Sequence, residues 1–296
     1  MSNDRYYIGG GNVAGILGIS PFRTPLDEYL TIIGEAPPPT EERLAFFKRR
    51  KSFEPVAADM FREKTGLEIM LVNQRYQDVE LPFVKAEIDF ESSDDQNGEI
   101  KTVHPLAAKD WGRPAVEGEE GDDNCPIYVT AQAMHGLGVH PRDLCRVLGM
   151  IGFDDVRVYT IRRDEDLIKG IRERITEFWN VHVLPRVPPA PKTVGDVLHL
   201  FKADLGTIAE ADDTTYAVIE RLRELKPTIA EIKQLEERVK VFMGPAGTLT
   251  REGEILATWK DQSGGLHWEG KRLDDAHPEL AAEFKKERRF RVLRLK

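Results

Sequence analysis

Apolar residues recur at helical spacing over residues 12–33, where Val13, Ile16, Leu17, Leu26, Leu30 and Ile33 share a side and Pro21 and Pro25 interrupt the run. Beyond the turn Pro37-Pro-Pro-Thr40, residues 41–65 read as one longer helix ended by Gly66. The period then shortens. Met70-Leu-Val72, Val79-Glu-Leu81 and the run 83–90 are short apolar or alternating stretches, and 98–103 follows a polar turn, so a β region is expected here. Residues 128–138 read as helix, 146–151 and 156–162 as a hairpin around Gly152-Phe-Asp-Asp155, and 164–183 as an amphipathic helix carrying Leu167, Ile168, Ile171, Ile175, Phe178 and Trp179.

Four prolines within residues 185–191 then mark a stiff linker and a domain boundary. Past it, Val218, Leu222, Leu225, Ile229, Ile232, Leu235, Val239 and Phe242 form a stripe close to a heptad seam, which Pro227 must kink or divide into two helices. Gly244-Pro245 stops it. A short β segment is expected at 253–262 and 266–272, ahead of a basic tail.

Composition changes this picture little. With 41 % apolar and 31 % charged residues in 296, the chain has the make-up of a globular protein large enough for a full core. No run of about 18 apolar residues is present, so no membrane span is expected. The N-terminal residues lack a secretory plan, and two cysteines, Cys125 and Cys145, are too few for an iron–sulfur cluster or a structural zinc site, which points to the reducing cytoplasm. His104, His135 and His140 are not at ligand spacing. The glycines of 9–15 lack the βαβ surroundings of a dinucleotide loop.

Charge is uneven. Residues 285–296 hold seven basic residues against one Glu, a net of +6, and the other 284 residues carry −15. A second basic run stands at Lys48-Arg-Arg-Lys51, and five carboxylates lie in 117–123. These are either solvated surface or a DNA path lined locally with positive charge on an acidic body.

The chemistry concentrates in residues 83–102. With a turn near Asp94, alternation places Glu99 and Lys101 on one face and Asp89 across from Glu99, while Ile88, Phe90 and Ile100 point into a core. Two carboxylates about 5 Å apart repel unless a cation lies between them. All-oxygen ligation suits Mg²⁺, with Mn²⁺ as a substitute. Lys101 would orient a water attacking a phosphodiester. Glu54 on the preceding helix and Gln132 on the following one complete a helix–Asp–Glu-x-Lys–helix order, a nuclease arrangement.

The motifs run in order along most of the chain: Ile8-Gly-Gly-Gly-Asn-Val-Ala-Gly-Ile-Leu-Gly-Ile-Ser-Pro-Phe-Arg-Thr-Pro25, Phe53-Glu-Pro55, Asp89, Glu99-Ile-Lys101, Trp111 and Pro126-Ile-Tyr-Val-Thr-Ala-Gln132-Ala-Met134. Met243-Gly-Pro-Ala-Gly-Thr-Leu249, Thr258-Trp-Lys260 and 288–294 follow. Together they resemble the YqaJ-like viral recombinase family, relatives of the lambda-type exonucleases within the PD-(D/E)xK superfamily. The resemblance implies an α/β (α+β) restriction-endonuclease-like core over 1–186 with a mixed central sheet flanked by helices, a linker at 187–192 and a helical and short-β region over 193–296.

It also implies a Mg²⁺-dependent, processive 5′-to-3′ exonuclease acting on double-stranded DNA ends, with one or two ions per site. Asp89, Glu99 and the Ile100 carbonyl would ligate metal, Lys101 would position the water, Glu54 would serve a second metal or the water network, and Gln132 would hold the site. Arg5 would take the 5′-phosphate, with Gly11, Arg23, Ser92 and Ser93 as further DNA contacts. A trimeric ring, a single-strand annealing partner of the RecT/Beta type and the cytoplasm of a phage-bearing bacterium complete the expectation. Two departures stand out: Gly11-Asn12 replaces the family's Ser-Asp, and Phe90 replaces a small residue. Two other classes stay open. One is a structure-specific or restriction-type endonuclease, which would cut closed circular DNA, and the other a non-catalytic recombination scaffold, which would cut nothing.

Overall fold

A proline decides the first departure from the sequence pattern. Residues 41–65 do not form one helix but two, α3 (Glu41–Lys51) and α4 (Glu54–Thr65). Pro55 has no N–H to donate to the Lys51 carbonyl four residues back and its ring crowds that carbonyl, whereas it is tolerated in the first turn of a new helix, so the chain breaks at Ser52-Phe53. Gly66, at φ 70°, caps α4 as expected. The computed structural model describes residues 6–112, 125–152, 154–201, 208–260 and 274–284, with 230 and 281 as backbone alone.

Two compact units divide the chain, 1–204 and 205–296. In the first, α1 (Gly10–Ile16) and α2 (Pro25–Ile32) precede α3 and α4. A five-stranded sheet follows in the order β1 (Ile69–Gln77), β2 (Lys85–Ser92), β3 (Asn97–Val103), β4 (Leu144–Ile151), β5 (Asp155–Arg162). Neighbours are antiparallel except β3 and β4, which run parallel and are joined through α5 (Ile127–Val139). Then come α6 (Glu165–Phe178), a π-helical turn at Trp179–Val183, and α7 (Val194–Leu200). Thr24 Oγ1 donates to Asp196 at 2.9 Å, so α7, beyond the Pro-rich stretch, belongs to this unit.

Both faces of the sheet are covered. Val13, Leu26, Leu30, Val129, Leu137, Ile168 and Ile175 of α1, α2, α5 and α6 pack with Val147, Tyr159 and Ile161. Ala57 and Phe61 of α4 pack with Phe90, Leu148 and Met150 on the other. Val147 and Leu148 are adjacent in β4 and so face opposite layers. Trp111 is buried beside Tyr159, 5.7 Å between ring centroids. The fold class is thus the one expected, a mixed sheet flanked by helices.

Residues 79–81 are not a strand, although they alternate like one. Asp78 Oδ1 accepts from the N–H groups of Glu80 and Leu81, both at 2.9 Å, and Arg172 grips the same carboxylate. The chain turns, leaving Val79 96 % exposed.

In the second unit α8 (Asp213–Met243) runs unbroken through Pro227, so of the expected kink or division the division does not occur. The hairpin is β6 (Thr248–Arg251) with β7 (Glu254–Thr258), turning at Glu252 (φ 52°) and Gly253 (φ 88°). The partner strand therefore precedes 254–258; the other expected strand, 266–272, and the basic tail lie outside the described residues. A short helix, α9 (Pro278–Phe284), ends the described chain. Among the described residues no helix is long and apolar enough to cross a membrane.

Candidate active site

The site begins where two strands part. β2 and β3 share only the pairs Phe90–Gly98 and Glu91–Asn97, which centres their turn on Asp94, and Asp95 there takes φ 61°. Beyond Gly98 β3 has no pairing with β2, while its other edge pairs with β4 over its whole length. At the parting point Asp89 Oδ2 accepts from the Ile100 N–H at 2.8 Å, so a carboxylate replaces a ladder bond. The divergence needs Gly98: a Cβ there would lie 2.2 Å from the Phe90 ring. Phe90 is fully buried against Phe61, so the large residue after Asp89 and the glycine opposite it are one packing solution.

Glu99 is 6 % exposed and faces α5. Its Oε1 accepts from Lys101 Nζ at 2.5 Å and from Gln132 Nε2 at 2.6 Å, while Lys101 Nζ also donates to Gln132 Oε1 at 2.8 Å. Gln132 is held from behind by α1, where a Cβ on Gly10 would sit 3.2 Å from its Cγ. The structure thus gathers Asp89, Glu99, Lys101 and Gln132 into one cluster, and Glu54, first residue of α4, is near enough for its charge to act on Asp89.

Burial, then the charge of Glu99 and lastly that of Glu54, push the Asp89 carboxyl up to about 7, against the Ile100 N–H and Lys101. For Lys101 burial works toward a lower value, but the charge and hydrogen bond of Glu99, with Asp89 behind, hold the ammonium above the ordinary lysine range. The site is therefore an oxygen-rich pocket in which one lysine faces two carboxylates with a third nearby. Among the described residues no three His, Cys, Asp or Glu side chains form a closed cage. Two carboxylates and a main-chain carbonyl fit Mg²⁺, which keeps several waters and binds through one or two protein carboxylates.

The expected phosphate-binding residues among those described are not gathered with this cluster. Arg23 donates to Glu28 (2.6 Å), the Asp27 carbonyl (3.0 Å) and Thr31 (2.5 Å). Ser92 donates to Asp94, and Ser93 Oγ accepts from the Glu68 N–H, so both serve the β2–β3 turn. Gly11 lies at the exposed start of α1, where an added Cβ would meet nothing within 4 Å. Arg5 lies outside the described residues.

Sequence reasoning passed over Tyr128, whose phenol lies within electrostatic reach of Lys101. It also passed over Gly98, since a lone strand glycine carries no signal of the ring across from it. His135 is a core residue, its Nε2 2.9 Å from the Lys85 carbonyl; burial holds its imidazole below the ordinary range. His140 stacks on Tyr76, 3.8 Å between centroids, and meets buried Glu91.

The uncharacterized protein YqaJ of Bacillus subtilis (strain 168) is 26 % identical over 317 aligned positions, covering 100 % of this chain and 95 % of that one. Among solved structures, an alkaline exonuclease (LHK-Exo) from Laribacter hongkongensis is similar at 16 % identity with a TM-score of 0.44, covering 59 % of this chain and 87 % of that chain. The same exonuclease in complex with dAMP gives 17 % identity, 60 % and 88 % coverage, and a TM-score of 0.44. The family model of the YqaJ-like viral recombinase domain matches residues 4–142, the span that holds α1, the divergent β2 and β3, and α5. Over those residues the chain is similar to the YqaJ-like viral recombinase domain, as its motifs led one to expect.

Proposed function

We propose that the protein is a divalent-metal-dependent DNA exonuclease. It removes nucleotides from double-stranded ends in the 5′-to-3′ direction, processively, to expose a single strand for phage-type recombination in the cytoplasm. The observation that carries this reading is the closed set Asp89–Glu99–Lys101–Gln132 at the point where β2 and β3 part. Support also comes from the viral recombinase domain over 4–142.

Asp89 and Glu99, with the Ile100 carbonyl, would hold one or two Mg²⁺ ions, Mn²⁺ substituting, and Glu54 would extend the set. Bound there, the ion supplies charge neutralisation of the phosphate and a more acidic water. Lys101, fixed from two sides by Glu99 and Gln132, holds the attacking water and stabilises charge developing on the phosphoryl oxygens. Gln132 accepts from the Lys101 ammonium and so keeps it aimed, and Glu99 would hold the ion. Processivity in this reading comes from a ring of three copies around the duplex, and the exposed strand is passed to a single-strand annealing protein.

The test is linear duplex DNA with one 5′-phosphate and one 5′-hydroxyl end, with and without Mg²⁺, beside a closed circle. Mononucleotide release from the 5′ strand only with metal, the circle intact, is expected, and Lys101→Ala should abolish it while duplex binding persists. Nicking of the circle would replace the exonuclease with an endonuclease. Cleavage retained by the Lys101→Ala variant would remove the assigned chemistry.

A further inference from the structure

The long helix of the second unit presents an apolar stripe that the described chain leaves bare. Val218, Leu222, Leu225, Ile229, Ile232, Leu235, Val239 and Phe242 are all at least 38 % exposed along α8. Off the stripe most of the helix is polar and internally paired, Arg221 with Glu224 and Arg223 with Glu220, with Tyr216, Ile219 and Val241 as apolar exceptions. A 31-residue helix is about 46 Å long at 1.5 Å per residue, and a seam of this length is far more apolar than solvent-facing helices require.

The spacing of the stripe identifies its occupant. Steps of three and four alternate except at Ile229-Ile232-Leu235, where two threes adjoin, and the pattern is nearly the same read in reverse. Turned about a point between residues 230 and 231, Val218 falls opposite Phe242, Leu222 opposite Val239, Leu225 opposite Leu235 and Ile229 opposite Ile232, each within half a residue. A two-fold interface requires this self-complementarity, since the same surface must serve both sides.

Flanking charges choose the direction. Two parallel copies would bring Arg221 beside Lys226 and Glu231 beside Glu236 of the second copy, both repulsive. Antiparallel copies bring Lys226 beside Glu236, an attraction. The remaining flank, Arg221 with Arg238, is repulsive, so antiparallel helices have one attraction and one repulsion against two repulsions for parallel ones. We infer that α8 pairs antiparallel with α8 of a second copy of this chain, burying the stripe about a dyad between residues 230 and 231. The inference is independent of the nuclease reading.

Light scattering on the full chain at micromolar concentration tests it. The native protein should show an even number of chains per particle, six where rings of three are joined through α8, and the variant Leu225→Glu/Leu235→Glu half that number. Gln234→Glu, outside the stripe, should leave the number unchanged. A native monomer, an odd number, or a stripe variant of unchanged mass would overturn the pairing.

Direction is read in a Cys125→Ser/Cys145→Ala background. Leu222→Cys/Val239→Cys should form inter-chain disulfides on oxidation, and either substitution alone should not. Cross-linking by Leu222→Cys alone would mean parallel helices and would overturn the proposed arrangement.

Discussion

Replacing Asp89 by Asn isolates the tension in the site. The amide keeps an oxygen to accept from the Ile100 N–H, so the cap at the parting strands survives, while the charge that burial and Glu99 penalise is removed. The sign follows from the direction of the shift. A carboxyl at about 7 in the folded state and at its ordinary value of 3.8 in the unfolded state binds its proton more tightly when folded, so stability falls as pH rises through that window. Three units at about 1.4 kcal/mol each set a ceiling near 4 kcal/mol, and water entering a partly open site brings about 2–4 kcal/mol into view.

In urea unfolding of the first unit with EDTA present, Asp89→Asn should match the native protein near pH 4. It should exceed native stability by that margin at pH 8. Adding Mg²⁺ at 100 times its dissociation constant should then restore about 2.7 kcal/mol to the native protein and nothing to the variant, which would also have lost cleavage. Equal native and variant stabilities at pH 8, or equal responses to Mg²⁺, would refute both the crowded-carboxylate account and the assignment of Asp89 as a ligand.

The other predictions concern the neighbourhood of the cluster. Gly98→Ala forces a Cβ into the Phe90 ring and should cost about 1–3 kcal/mol in urea unfolding. In a Phe90→Ala background the same change should cost almost nothing, and a penalty of equal size in both backgrounds would show that the ring is not the obstacle. Gly11→Ser has open space for its side chain, so stability should change by less than about 0.5 kcal/mol. The ratio of cleavage at 5′-phosphate over 5′-hydroxyl ends should rise, and an unchanged ratio would remove position 11 from end recognition. Lys48, Arg49, Arg50 and Lys51 close α3, a helix with no buried residue. Changing all four to Gln should flatten the salt dependence of duplex binding by about 0.9 in log–log slope for each phosphate no longer neutralised, and an unaltered slope would make this run plain solvated surface.

What the sequence made legible was whatever depends on strand and helix period. Alternation alone put Glu99 and Lys101 on one face, and a polar turn centred on Asp94 put Asp89 opposite Glu99; the observed register Phe90–Gly98 has that centre. Gln132 was reachable because its helix follows at crossover length. Local side-chain competition with the backbone was not legible. Asp78 drawing two N–H groups onto its carboxylate turned an alternating run into a bend, and Pro55 divided a helix whose apolar positions read straight through it. Nor could the pattern show that β3 abandons β2 after Gly98, since a strand reads alike whichever neighbour it pairs with.

That abandonment is what makes the site. Had β2 and β3 stayed paired beyond Gly98, the Ile100 N–H would have had a backbone partner and the Asp89 side chain would have been free to turn toward water. Once β2 parts from β3, the N–H on that edge of β3 needs an acceptor, and Asp89 supplies it at 2.8 Å beside the buried carboxylate of Glu99. One hydrogen bond therefore fixes the aspartate where its charge is least welcome. The fold sets two oxygen ligands in place and leaves them short of positive charge, with Lys101 shared between Glu99 and Gln132. Asp89→Ala should consequently behave unlike Asp89→Asn: it loses the ligand and also strands a buried N–H, a cost of about 1–3 kcal/mol. The difference in unfolding free energy between the two variants measures what the aspartate does for the backbone, apart from anything it does for a metal.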